Sequence, residues 1–180
     1  MKKIIRLFTF LLFALLANFA KAQNADQKDQ MIKDWERAKE YTKAYLDAMP
    51  EDGYGFRPTS EMKTFAEQML HFTDANYELA SLAGGIKSPI EPGAAFKMVD
   101  KSKAATTKMV MAGYDFVISN IKNVKPEQLQ ENIKEKVFGK YEMTKATLFN
   151  KIFEHQTHHR GQTTVYLHLK GAKVPDQILF

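Results

Sequence analysis

No cysteine occurs in the 180 residues. That absence excludes a disulfide framework, thiolate zinc sites, iron–sulfur clusters and cysteine nucleophiles together. Alternating apolar and polar runs of the kind that make half-buried strands are missing as well. Proline and glycine are few, 6 and 9, and gather in residues 50–58, 84–93, 125–126, 139 and 171–175. There is no internal repeat and no low-complexity stretch. At 44% hydrophobic and 12% aromatic residues, the composition is globular and excludes disorder. The length suits one domain with a substantial core.

The charge is less basic than it looks. The chain carries 26 Lys+Arg against 21 Asp+Glu, a formal +5. Lys2, Lys3 and Arg6 are followed by an almost wholly apolar run over residues 7–17 and then by Ala20-Lys21-Ala22. This is the order of a secretory signal peptide, with cleavage expected after Ala22. The apolar run is shorter than the roughly 20 residues a spanning helix needs, so no stable membrane insertion is expected after cleavage. Four of the basic residues and none of the acidic ones lie in residues 1–22, so 22 against 21 remain, a charge of +1. The expectation is an exported protein, periplasmic or secreted. No clustered Lys/Arg face is left to support nucleic-acid binding.

Residues 23–180 read as one all-α domain. A first helix is expected over residues 26–48, buried along Met31, Trp35, Ala38, Thr42, Tyr45 and Met49, and stopped by Pro50. A second should be capped by Thr59 or Ser60 and end at Gly84-Gly85, with Met62, Phe65, Ala66, Met69, Thr73, Asn76 and Ala80 inward. A third, capped by Asp100 or Ser102, should run to about Asn123 with Ala105, Met109, Ala112, Phe116 and either Ser119 or Asn120 on one face. A short helix is expected after Pro126. The fourth should start near Thr144 and end at Gly171. Four such helices predict a four-helix bundle.

Three of the five histidines fall in His155-Gln156-Thr157-His158-His159-Arg160-Gly161-Gln162. With Leu148 as origin and about 100° per residue, His155 lies near −20° and His159 near +20°, one turn apart on the apolar stripe. His158 lies at its edge. Two neutral imidazoles at i, i+4 on an inward face can bind one metal ion. Hydrogen-bonded core histidines, or a polar seam at a dimer interface, are the alternatives. The segment is no protease motif, because Gln156 follows His155 where a zincin needs glutamate, and His158 stands where the inverted motif needs one. His71 is a candidate third ligand. It falls on the polar face of the second helix with Glu67, Asp74 and Glu78, which favours a groove over a closed core. The alternative is an exposed histidine on a charged face. Asp74 and Glu78 are candidates for orienting a ring N–H. Gly161, in mid-helix, suggests close approach of a neighbouring helix or a second subunit. Arg160 suggests a structural contact. Lys97, Lys101, Lys103 and Lys108 read as a solvated face.

These residues resemble the DinB-like (DinB/YfiT) family. The resemblance rests on His155-x-x-His158-His159-Arg160-Gly161-Gln162, then Val165-Tyr166-Leu167, Leu169, Gly171 and Pro175, together with Leu70-His71-Phe72-x-Asp74 and Phe56-Arg57-Pro58. It implies a bundle in up-down-down-up order, often a homodimer. It implies a divalent metal (zinc, nickel or iron) held by three histidines, here His71, His155 and His159. Family activities are metal-dependent thiol S-transfer, isomerisation and amide hydrolysis. Three functions therefore stand open: an exported hydrolase using metal-activated water, a thiol S-transferase, and a non-catalytic metal- or ligand-binding bundle. Export weighs against the second, whose family members work with cytoplasmic thiols. No general base can be assigned by motif.

Overall fold

The computed structural model describes residues 2–179. The side chains of residues 2–8 and 10–22 lie outside the described residues, and most of the expected leader, residues 1–22, falls on them. Four long helices make the chain: α1 (Lys2–Ala48), α2 (Phe65–Gly84), α3 (Lys103–Asn123) and α4 (Lys145–Leu169). Among the described residues there is no strand, only isolated bridges, and no helix long and apolar enough to cross a membrane. α1 extends far upstream of the expected start at residue 26, since no proline or glycine interrupts residues 2–49.

Helix directions follow from who touches whom. Thr42 meets Tyr114 and Lys28 meets the carbonyl of Val124, so α1 and α3 are antiparallel. Trp35 packs on Phe153 and Tyr45 on Thr164, so α1 and α4 are parallel. A Cβ on Gly113 would strike Thr73, and one on Gly84 would strike Asn120, so α2 and α3 run side by side in the same direction. The order is up-down-down-up. Parallel neighbours cannot be joined by a tight turn, so residues 85–102 must return over the bundle height, about 30 Å for a helix of this length. That obligation brings Phe96 beside His71, with ring centroids 6.4 Å apart.

The core residues expected on α1 are all buried, and those on α2 are buried except Met62. α2 starts later than expected. Its cap is Thr64, whose hydroxyl accepts from Glu67 N–H while the Glu67 carboxylate accepts from Thr64 N–H. On α3 the buried face is centred on Val110, Gly113, Tyr114, Val117 and Ile121; of the expected row Asn120 is buried, Ala105, Met109 and Phe116 are half-buried, and Ala112 is exposed. The second face pairs the larger β-branched and aromatic side chains with the one glycine that lets α2 approach. Past Pro126 there is a single 3₁₀ turn, Pro126–Gln128. Lys103 is not merely solvated: its ammonium donates to the carbonyls of Asp47 and Met49 at the C-terminus of α1.

Candidate metal centre

α2 and α4 run antiparallel, so His71 comes opposite the i, i+4 pair on α4. The ring centroids of His71 stand 5.3 Å from His155 and 4.6 Å from His159, and those of His155 and His159 are 4.5 Å apart. One ligand nitrogen from each of His71, His155 and His159 lies within 4.8 Å of the other two. His159 is buried, whereas His155 and His71 are half-buried. His71 and His155 sit on the wall of an open cleft of about 340 Å³ that also touches Glu78, Leu79, Phe96, Lys97 and Phe138. This is the groove that the polar-face position of His71 predicts.

His155 is not central on the buried stripe of α4. The stripe is widened toward α1 by Gln156, Arg160 and Thr163, all buried polar residues that a count of apolar positions passes over. His155 therefore stands at the rim, facing the cleft. His158 is exposed and its Nε2 meets the Gln162 amide at 3.0 Å.

The donor set suits a divalent ion. Nε2 of His155 and Nε2 of His159 face each other at 3.1 Å. Two nitrogens bound to one ion at about 2.0–2.1 Å stand about 3.0–3.4 Å apart. Nδ1 of His159 meets the carbonyl oxygen of Gln68 at 2.9 Å, which leaves Nε2 with its lone pair toward the cluster. Nδ1 of His155 is buried without a hydrogen-bond partner, so the 3.1 Å contact of its Nε2 with His159 is the one described hydrogen bond on this ring. Burial, reinforced by repulsion from neighbouring imidazoles, pushes His159 down to about 3 and His155 to about 4. His71 is lowered too, by burial first and then by Lys63, with Asp74 opposing. All three imidazoles are neutral at pH 7 and free to serve as ligands.

Neither acidic candidate for orienting His71 does so by a described hydrogen bond. The Asp74 carboxylate accepts instead from the backbone N–H groups of Ala95 and Phe96, at 2.9 and 2.8 Å, and so ties the 85–102 loop to α2. Gln68 is the residue the sequence reading missed. It lies one turn before His71 on the same side of α2, a position from which the orienting role could have been suspected. Within the chain, Gly161 has open space where a Cβ would be, so no neighbouring helix explains it.

The DinB family profile matches residues 21–177. The chain belongs to the DinB family. Two solved structures share its fold. A DinB-like protein from Bacillus cereus ATCC 10987 superposes with a TM-score of 0.71 at 19% identity, covering 83% of this chain and 96% of its own. A DinB-like protein from Bacillus subtilis gives 0.61 at 14%, covering 84% and 96%. A search of curated proteins finds no match. In this DinB chain the family resemblance and the geometry choose the same three histidines.

The depressed histidines predict a pH effect on the metal-free protein. Their folded values lie below the ordinary 6.5, so the unfolded chain takes up protons first as pH falls. Stability fully present above about pH 6.5 is then lost progressively, and the loss levels off only near the folded values of about 4 and 3. Urea midpoints should fall across that window in the wild type and fall less in His155→Gln/His159→Gln. Equal slopes in the two proteins would contradict the assignment.

Proposed function

We propose that this DinB protein is an exported metalloprotein that binds zinc, nickel or iron through His71, His155 and His159 and hydrolyses an amide or ester. The observation that carries the reading is the convergence of three neutral imidazoles, two of which, His71 and His155, line an open cleft. An ion held there supplies Lewis acidity, polarising a carbonyl oxygen and acidifying a water molecule. The residues of the chain do the rest. His159 is locked from behind by Gln68, while half-buried His71 and His155 leave the approach side open to a substrate. Phe96 and Phe138 offer apolar walls to the acyl portion. The export part rests on the residue order of the first 22 positions. A homodimer through α4 is supported by open Gly161 beside exposed Val165 and Leu169 on one helix face.

The test is turnover of chromogenic amides and esters by metal-loaded protein purified from the exported fraction. Hydrolysis without added thiol is expected, from a dimer beginning at Gln23. Activity only with thiol would move the chain to the transferases, and bound metal without turnover to the binding proteins. A chain beginning at Met1 removes export, and a monomer in sedimentation removes the dimer.

A further inference from the structure

Behind His159 lies a hydrogen-bond chain whose sense is fixed at its far end. The hydroxyl of Tyr166 is 2.7 Å from the backbone carbonyl of Lys63. A carbonyl can only accept, so the tyrosine must donate there. Its oxygen is then left to accept, and the nitrogen of the Gln68 amide stands 3.3 Å away. The same nitrogen donates to the carbonyl oxygen of Gln162 at 3.0 Å. Both contacts require the NH₂ of Gln68 on that side, which turns its oxygen toward Nδ1 of His159. An amide oxygen needs a donor, so Nδ1 must carry the proton and Nε2 must be the free lone pair. Tyr166 is wholly buried, Gln68 is 6% exposed, and Phe56 and Phe65 pack against the Tyr166 ring edge-to-face. Water has little access to replace any link.

We infer that the backbone carbonyl of Lys63, acting through Tyr166 and Gln68, sets the tautomer of His159 and so holds its Nε2 ready to ligate. Tyr166 and Gln68 are positioning residues. Gln162 supports the same orientation but does not fix it, because its own amide could turn over together with that of Gln68 and so allow the opposite tautomer, whereas the Lys63 carbonyl cannot. The consequence for metal binding rests on the histidine site proposed above, but the tautomer itself does not.

Three variants test it, Tyr166→Phe, Gln68→Leu and Tyr166→Phe/Gln68→Glu, read by two measurements. Nitrogen NMR of the metal-free, ¹⁵N-labelled full chain at pH 7 reports which ring nitrogen of His159 is protonated. Competition with a chelator reports zinc affinity. Wild type should show a single Nδ1–H form. Tyr166→Phe should show a mixture and an affinity lower by roughly 10–100-fold, the usual effect of losing an outer partner of a ligand. Gln68→Leu should match it or do worse. The double variant should recover one tautomer and most of the affinity, because a carboxylate accepts at both oxygens and has no wrong orientation. A merely structural role for Tyr166 predicts no such rescue. An unchanged tautomer in Tyr166→Phe overturns the inference. Should wild type bind none of zinc, nickel and iron, the metal reading fails while the NMR result still decides the relay.

Discussion

Replacing His155 or His159 with alanine should abolish stoichiometric metal in the purified protein, and His71→Ala should weaken it severely. Each removes one of three imidazoles whose ligand atoms gather within 4.8 Å. A lost ligand costs more than the roughly 10–100-fold attached to an outer hydrogen-bond partner, so the decline should exceed that of Tyr166→Phe. The three positions need not be equal. His159 is buried and held by Gln68, so its loss removes the most rigid member. His71 is half-buried and has the least described support, and water can replace it most readily. His158→Ala is the sharp control. It deletes a histidine adjacent in sequence whose ring is exposed and turned to Gln162, and it should leave affinity within a few-fold. Metal analysis beside chelator competition measures all four. Full retention in the three triad variants ends the metal assignment. Equal loss in His158→Ala shows that the segment responds as a whole.

What the sequence could and could not reveal divides by the kind of signal. His155 and His159 are local: four residues on one helix fix their relation whatever the rest of the fold does. The buried faces of α1 and α2 are likewise carried by apolar residues at helical spacing. The α3 face is ambiguous in sequence because two rows of comparable apolar character compete there. Only contact with α2, at Gly113, and with α1, at Tyr114, selects between them. The late start of α2 is legible in Thr64-x-x-Glu67, a capping box that outcompetes the upstream Thr59 and Ser60. Gln68 was harder. Its role depends on a partner 91 residues away, and its place one turn before His71 is the only local hint of it. Asp74 illustrates the converse. Its position invited a role at the site, yet its carboxylate is consumed by a loop whose path only the parallel α2–α3 arrangement requires.

Arg160→Ala should cost about 2–4 kcal/mol, while Arg160→Met should cost under about 1 kcal/mol. Arg160 is 6% exposed, and no described ion pair includes it. Nη1 reaches the carbonyl of Ala38 and the hydroxyl of Thr42 at 3.4 Å and the Gln156 oxygen at 3.2 Å, and the group lies 4.4 Å from the centre of the Tyr41 ring. A buried cation without a carboxylate recovers its desolvation only through such neutral acceptors and the aromatic face. Much of what Arg160 contributes is then the bulk that fills the seam between α1 and α4. Alanine empties that space. Methionine refills it and strands no acceptor: Gln156 still accepts from Tyr114 at 2.7 Å, and Thr42 keeps its 2.6 Å contact with the same hydroxyl. The substitution lies on the side of α4 away from the triad, so Arg160→Met should also keep its metal affinity. Urea unfolding of the two variants separates volume from charge. A methionine variant as unstable as the alanine one would mean that the charge itself is required, and that an anion compensates it in the folded protein.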